Sequence, residues 1–391
     1  MTKAAKCVCR RCGVRDAPGF MLAVLFSLVM AIPRPVDAEP PLQSFLGGAA
    51  DGFETVTGPR PFSFPADHGA HPRYRVEWWY VTGVVTTSDA RRVGFQLTLF
   101  RFGLRPPSQS MKRASEPEST WRARSAWLAH FGLTDVRNER FVSRERFARG
   151  GSIGLAGART DPFRVWVENW SIESAGDSFW PLRIVASDGD ERLDLQVDTI
   201  KPPVLQGEAG YSRKSAGPGN ASHYYSLTRL RGQGTVTVGG ETVSGEVSAW
   251  LDREWSTSAL GPDQAGWDWF SLQLEDGRDV MVYRLRRVDG SQDPFSAGVV
   301  VAPDGHASPL DSTAFTLTPT RWFQIDEGNR YPVAWRVEVP AHALDLTVGA
   351  VLDQQHHEGL IPYWEGLVDA RDASGRAVGS GYLEMTGYVR R

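Results

Sequence analysis

From Glu77 onward the chain is a series of short stretches in which apolar residues alternate with polar ones or run on unbroken, separated by turn formers. Leu193-Asp194-Leu195-Gln196-Val197 alternates with period two, as a strand does with one face in a core and the other in solvent. Glu77–Thr86, Arg92–Phe102, Arg164–Glu168, Thr235–Val238, Phe270–Leu274 and Val280–Arg286 are short and rich in β-branched and aromatic residues. Glu275-Asp276-Gly277, Asp289-Gly290 and Asp304-Gly305 supply hairpin turns. No window carries a long amphipathic helix. The pattern predicts an all-β protein.

The pattern also occurs twice. A hairpin opened by Trp79-Tyr80 and ending Leu99-Phe100-Arg101-Phe102 is matched by one opened by Trp269-Phe270 and ending Val282-Tyr283-Arg284-Leu285. Leu193–Val197 matches Leu344–Val348, and Tyr224-Tyr225-Ser226 matches Tyr363-Trp364-Glu365. Each half closes on a Gly-containing strand, Val243–Trp250 and Val378–Met385. The first half is longer through a Pro/Ser/Arg-rich insertion around Pro106 to Arg124. Repeated strand patterns whose edges must be covered suggest two antiparallel β-barrels in tandem, each of eight strands, or a pair of β-sandwiches. An eight-stranded barrel has room inside for one small ligand.

Composition sharpens this picture. Of 391 residues, 40 are Gly and 25 Pro, a turn content that disfavours a helical bundle. A net charge of −3 leaves no basic footprint for nucleic acid. Lys3, Lys6, Arg10, Arg11 and Arg15 precede an apolar run from Phe20 to Ile32, and Val36-Asp37-Ala38 ends in cleavage-site grammar. Residues 1–38 are therefore expected to be a cleaved signal peptide, directing the protein to the periplasm or outside the cell, with no transmembrane anchor after processing. Cys7, Cys9 and Cys12, the only cysteines, leave with it. What remains carries 37 Lys and Arg against 44 Asp and Glu, with only Lys112, Lys201 and Lys214 as lysines. Neither thiol nor lysine covalent chemistry is expected. The expected layout is an extension over 39–66, a first barrel over 67–258 and a second over 259–391.

Four motifs stand out in order. They are His71-Pro72-x-Tyr74-x-Val76-Glu77-Trp78-Trp79-Tyr80-Val81-Thr82-Gly83, Trp250-x-Asp252-Arg253-Glu254-Trp255, Gly266-Trp267-Asp268-Trp269-Phe270, and Gly381-Tyr382-x-Glu384-x-Thr386-Gly387-Tyr388. Together they resemble the AttH-like and carotenoid 1,2-hydratase (hydroxyneurosporene synthase) family, from about His71 to Tyr388. The resemblance implies two lipocalin-like barrels in tandem. Among the family's activities it implies hydration of acyclic carotenoids or prenyl groups, guided cycloaddition and, in the exported AttH-like branch, association with ABC transport systems.

Two functions follow. One is binding of a hydrophobic small molecule, lipid or isoprenoid, in service of an ABC transporter. The other is cofactor-free hydration or a related lyase reaction at an alkene. A third, structural module would have filled barrels and no cavity. Trp78, Trp79, Trp250, Trp255, Trp267, Trp269 and Trp364 either line an apolar pocket or plug the barrels. In Trp267-Asp268-Trp269 the carboxylate faces opposite to both tryptophans, so one or the other points inward. An inward Asp268 among aromatics would be desolvated and protonated, able to donate to an alkene; resemblance to the hydratases also favours it, and the alternative is pairing with an Arg. Glu77, Asp252, Glu254 and Glu365 sit in similar Trp-flanked contexts, as ligand contacts or as a salt-bridge cluster with Arg101, Arg253 and Arg284. Tyr80, Tyr224, Tyr225 and Tyr283 are candidate hydrogen-bond donors to a ligand or satisfy strand ends, with Tyr283 and His223 joining Asp268 as catalytic candidates. His130 is a further candidate base or a structural histidine. No metal site and no cofactor are expected: His356-His357 point apart on a strand. Gly150-Gly151-Ser152-Ile153-Gly154 matches G-x-S-x-G but lacks the strand-to-helix context of a nucleophile elbow.

Overall fold

A computed structural model describes residues 51–106, 123–151, 154–258 and 260–389. The expected signal peptide and its cysteines, residues 39–50 of the extension, most of the Pro106–Arg124 insertion and Ser152 lie outside the described residues. The remainder is all-β, with two short 3₁₀ turns at Ala66–His68 and Pro340–His342. Among the described residues no helix is long and apolar enough to cross a membrane.

The strands form two antiparallel sheets, each curled into a barrel or half-barrel. The first contains β1 (Val76–Thr86), β2 (Arg92–Gly103), β3 (Ser125–Asp135), β4 (Arg140–Gly150), β5 (Ala156–Thr160), β6 (Phe163–Val167), β7 (Trp170–Ser174), β8 (Leu182–Asp188), β9 (Glu191–Thr199), β10 (Val204–Leu205), β11 (Tyr211–Arg213), β12 (Ala221–Val238) and β13 (Glu241–Ser256). The second contains β14 (Gln264–Leu274), β15 (Asp279–Arg287), β16 (Ala297–Val301), β17 (Ala307–Leu310), β18 (Thr316–Gln324), β19 (Arg330–Val339), β20 (Leu344–Ala350), β21 (His356–His357), β22 (Tyr363–Arg371) and β23 (Ala377–Thr386).

The duplication is visible in strand order. The first sheet runs β4-β3-β2-β1-β13-β12-β9-β8-β7-β6-β5 and the second β17-β16-β15-β14-β23-β22-β20-β19-β18. Each is larger than the expected eight strands, and the first adds β6 and β5 at one end. Register corrects the alignment read from sequence. Glu77 lies opposite Arg101 and Asp268 opposite Arg284, so Trp269 corresponds to Trp78, and Phe270, not Trp269, corresponds to Trp79. A shift of one residue exchanges the faces of a strand, and Trp79 and Phe270 both occupy sheet interiors.

Three apolar clusters result. One fills the first sheet, with Trp79, Phe95, Trp127, Trp170 and Trp255. Another fills the second, with Phe270, Trp335 and Trp364. The third lies between the sheets, with Tyr80, Phe102, Trp250, Trp269, Tyr283 and Tyr382. This explains two kinds of sequence pattern. β9 alternates buried and exposed residues because one face meets water. β1, β14 and the second half of β13 are buried on both faces, inside their own sheet and against the other, and so lack that alternation. Close approach of the sheets needs Gly94: a Cβ there would stand 2.8 Å from the Tyr382 hydroxyl and 3.1 Å from Leu367 Cβ. Asp279 ties the sheets together, taking Lys201 Nζ at 2.8 Å and Arg229 at 2.6 Å.

Candidate functional site

The ligand space expected inside a barrel is instead between the two sheets, because Trp, Phe and aliphatic side chains pack both interiors. A cavity of about 110 Å³ opens there; one water needs about 10–15 Å³, so the space fits a small organic group. Every contributing strand presents alternate residues to it. From the first sheet come Trp78 and Tyr80 of β1, Thr98, Phe100 and Phe102 of β2, His130 of β3, Tyr224 of β12, Asp252 and Glu254 of β13, and Lys214 just after β11. From the second come Trp267 and Trp269 of β14, Tyr283 and Leu285 of β15, Tyr363 and Glu365 of β22, and Glu384 and Thr386 of β23, with Ile361 beside them. The repeat makes matching pairs: Trp78 lies opposite Glu254, and Trp269 opposite Glu384.

The walls are aromatic. Tyr80 meets Trp269 edge-on with centroids 5.2 Å apart, and Trp250 packs behind Trp269 at 6.3 Å. Four carboxyl groups and one cation face this space. Lys214 Nζ is 3.1 Å from Glu254 and lies over the rings of Tyr283, at 4.6 Å, and Tyr224, at 5.2 Å. Burial works against its charge, but Glu254 beside it outweighs this and raises its pKa. Lys214 is therefore an ammonium and not a nucleophile. Ser222 also donates to Glu254.

Among the described residues the other three carboxyls have no ion-pair partner. Asp252 accepts from Tyr224 Oη at 2.6 Å, Trp250 Nε1 at 2.7 Å and Ser226 Oγ. Burial nevertheless raises its pKa to about 7, with Glu254 adding to the effect. Glu384 accepts from Trp267 Nε1 at 2.9 Å, and burial, aided by Asp252 and Glu254, raises it to about 7. Glu365 is 1% exposed. It lies beside the Tyr80 and Tyr363 hydroxyls, yet neither of its oxygens completes a well-formed hydrogen bond. Burial and then Glu384 push its pKa well above the carboxylate range. An unpaired carboxyl in such a place holds its proton and can give it to a bound molecule.

Of the residues singled out from sequence, Trp78, Tyr80, His130, Tyr224, Asp252, Glu254, Trp267, Trp269, Tyr283 and Glu365 meet at this cavity. Trp250 supports it through Asp252. The others are elsewhere. Asp268, expected as the proton donor, faces away from the cavity. Its oxygens are taken by Arg284 at 2.7 Å, by Arg286 and by Tyr388 Oη at 2.8 Å, so none is free for a substrate. Glu77 is the matching residue of the first sheet, bound by Arg101 and Arg253 and by the His71 N–H at 2.9 Å. Burial opposes its charge, but the two guanidiniums win and hold its pKa well below the usual range. Trp79 is inside the first sheet and donates to His68 O at 2.9 Å. Tyr225 is inside it too, 2.6 Å from His68 Nδ1. Trp364 fills the second interior and donates to Asp353 O at 2.7 Å. His223 packs against Trp255, 5.7 Å between centroids, and burial lowers its pKa to about 4. The G-x-S-x-G stretch leads from β4 to another strand, β5. Among the described residues no group of three or more His, Cys, Asp and Glu is placed to hold a metal ion.

Sequence reasoning passed over Glu384, Lys214 and Tyr363 as site residues. Glu384 was within reach: Glu384 and Thr386 share one face of β23, while Leu383 and Met385 fill the interior. Lys214 lies in an irregular segment whose position no periodicity encodes.

Comparisons with known proteins agree with this architecture. A family model described as AttH-like matches residues 55–388. The crystal structure of an AttH candidate from Nitrosomonas europaea superposes with a TM-score of 0.75 at 31% identity, covering 86% of this chain and 100% of that one. Kievitone hydratase from Nectria haematococca shares the fold, with a TM-score of 0.61 at 14% identity over 86% and 96% of the two chains. The dehydratase asqC of Emericella nidulans is 23% identical over 197 residues, which span 47% of this chain and only 53% of that protein.

Proposed function

Because the chain belongs to the AttH-like family, we propose that its inter-sheet cavity binds a hydrophobic small molecule, lipid or isoprenoid, and adds water to it or removes water from it. The observation that carries this reading is Glu365, a buried carboxyl with no cation and no completed hydrogen bond, facing a cavity walled by Trp78, Tyr80 and Trp269. In hydration the Glu365 proton forms a C–H bond at an alkene. The resulting cation rests against the aromatic faces, which favour positive charge. Water then forms the C–O bond and gives its extra proton to Asp252 or Glu384, which near pH 7 are partly ionised. Dehydration is the same sequence reversed.

The fungal relative is named a dehydratase, and the match covers about half of each chain. A pure carrier needs apolar walls but has no use for three carboxyl groups without an ion-pair partner, whose burial opposes their ionisation. Catalysis is therefore the preferred function, and ligand carriage the second. Export rests on residues 1–38, and an ABC transport partner on family resemblance alone; neither bears on the chemistry of the cavity.

Ligands extracted from the protein purified from its own host are identified by mass spectrometry and returned to it in D2O and H2¹⁸O. Deuterium at carbon and ¹⁸O in the product are expected, and both are lost in Glu365→Gln while the ligand still binds. Bound ligand with no isotope incorporation identifies a carrier and overturns the catalytic reading.

A further inference from the structure

Donating a proton leaves Glu365 as a buried carboxylate that must be recharged, and the residues around it suggest how. Tyr363, two residues earlier on β22, shares its face and places its hydroxyl beside the Glu365 carboxyl. On its other side, Tyr363 Oη is 2.8 Å from Nδ1 of His130 and accepts from Gln96 Nε2 at 3.2 Å. His130 Nε2 is 3.1 Å from Glu145 Oε2. Glu145 belongs to the outer strand β4, and its side chain is 32% exposed. A line of groups thus leads from solvent through Glu145 and His130 of the first sheet to Tyr363 and Glu365 of the second.

We infer that Glu145, His130 and Tyr363 form a proton relay between solvent and the Glu365 carboxyl; the inference rests on Glu365 being the acid of the proposed reaction. A proton from solvent enters His130 at Nε2 by way of Glu145. Another leaves from Nδ1 to Tyr363 Oη as the Tyr363 hydroxyl proton passes to the Glu365 carboxylate. Imidazole and phenol end neutral, and only Glu365 has gained a proton. The other titratable groups in contact are known. His357 stacks on Tyr363 with centroids 4.5 Å apart and lies 6.3 Å from His130, and burial holds its pKa well below the usual histidine value. Its Nδ1 is engaged by Ser143 Oγ at 2.7 Å. Tyr80 and Glu384 face Glu365 from the cavity side. With Gln96 and the Nδ1–H of His130 both donating to the Tyr363 oxygen, the phenol proton is left for Glu365.

The full chain is transferred from H2O to D2O at pH 7, and infrared spectroscopy follows the protonated-carboxyl C=O band. The Glu365 band is identified by its loss in Glu365→Gln. The expected result is fast exchange in the native protein and exchange slowed roughly tenfold or more in His130→Phe. Glu145→Gln, at the half-exposed end, slows it as well and carries the test if His130→Phe does not fold. Native exchange rates in Glu145→Gln and in folded His130→Phe overturn the relay and leave the acid in place. A native protein with no Glu365 band at pH 7 overturns the acid itself, and the relay with it.

Discussion

Residues on adjoining strands show two ways of burying a carboxyl group. Glu77 and Asp268 point toward the sheet interiors, and each meets two guanidiniums. Asp252, Glu365 and Glu384 point into the space between the sheets and meet phenols, indoles and each other. Four of the five are out of bulk water and Glu384 is half-buried, so burial alone does not set their state. A cation within reach turns a buried carboxyl into an anchor, and its absence turns one into an acid. The division follows the pleat: Glu77 precedes Trp78, Asp268 precedes Trp269, and Arg253 precedes Glu254, each pair split between the two faces.

The contrast is broken most sharply by exchanging acids between the two groups. Glu365→Gln is expected to lower turnover by about 10²–10⁴-fold, the usual share of a general acid, while changing stability at pH 7 by less than about 1 kcal/mol. Asp268→Asn should leave turnover per folded molecule intact and weaken the fold. Kinetics and denaturant melts on both variants decide this, and the reverse result would return the acid's role to Asp268.

Removing a cation from an anchor is expected to have the next largest effect. Arg253→Met leaves Glu77 with Arg101 alone in the first sheet and should cost about 3–5 kcal/mol, measured by urea unfolding. A loss under about 1 kcal/mol would show that the pair contributes little.

The two groups also oppose each other in pH. Glu77 is held down, so its contribution is present above its unfolded pKa and fades as pH falls. Asp252 and Glu384 are held up at about 7 from reference values of 3.8 and 4.5. The folded chain keeps their protons longer than the unfolded one, so stability falls as pH rises from about 4 to about 7, by roughly 2–3 kcal/mol per group. Melting curves across this range should show the fall, and Glu384→Gln should reduce it. The smallest effect is expected from Trp267→Phe, which removes the indole donor to Glu384. Its pKa should climb by about one unit or less, seen by carboxyl infrared titration.

Much of the fold was legible because local rules were consistent. Alternation marked β9 and β20, and turn residues marked the hairpins. Repeated order revealed the duplication. Within the site, Trp267-Asp268-Trp269 announced that carboxylate and indoles must part, but not which of them would face a ligand. That choice depended on Arg284, Arg286 and Tyr388, which reach Asp268 from a neighbouring strand and the chain's C-terminal end. Tyr224 and Tyr363 looked alike in sequence, yet one donates to Asp252 and the other meets His130 of the opposite sheet. The contacts of Tyr363 with His130 and of Tyr388 with Asp268 join residues more than a hundred positions apart, beyond the reach of any local pattern.

The sequence by itself determined that this protein is all-β, duplicated and built around a few Trp-rich strands, because periodicity and turn chemistry act over a handful of residues. Only the tertiary structure decided that both interiors are filled and that the free space lies between the sheets. It also decided that Glu365 faces that space while Asp268 turns away to Arg284 and Arg286. A carboxyl group's proton is set by the charges and dipoles within a few ångströms, and here those come from strands that only folding brings together.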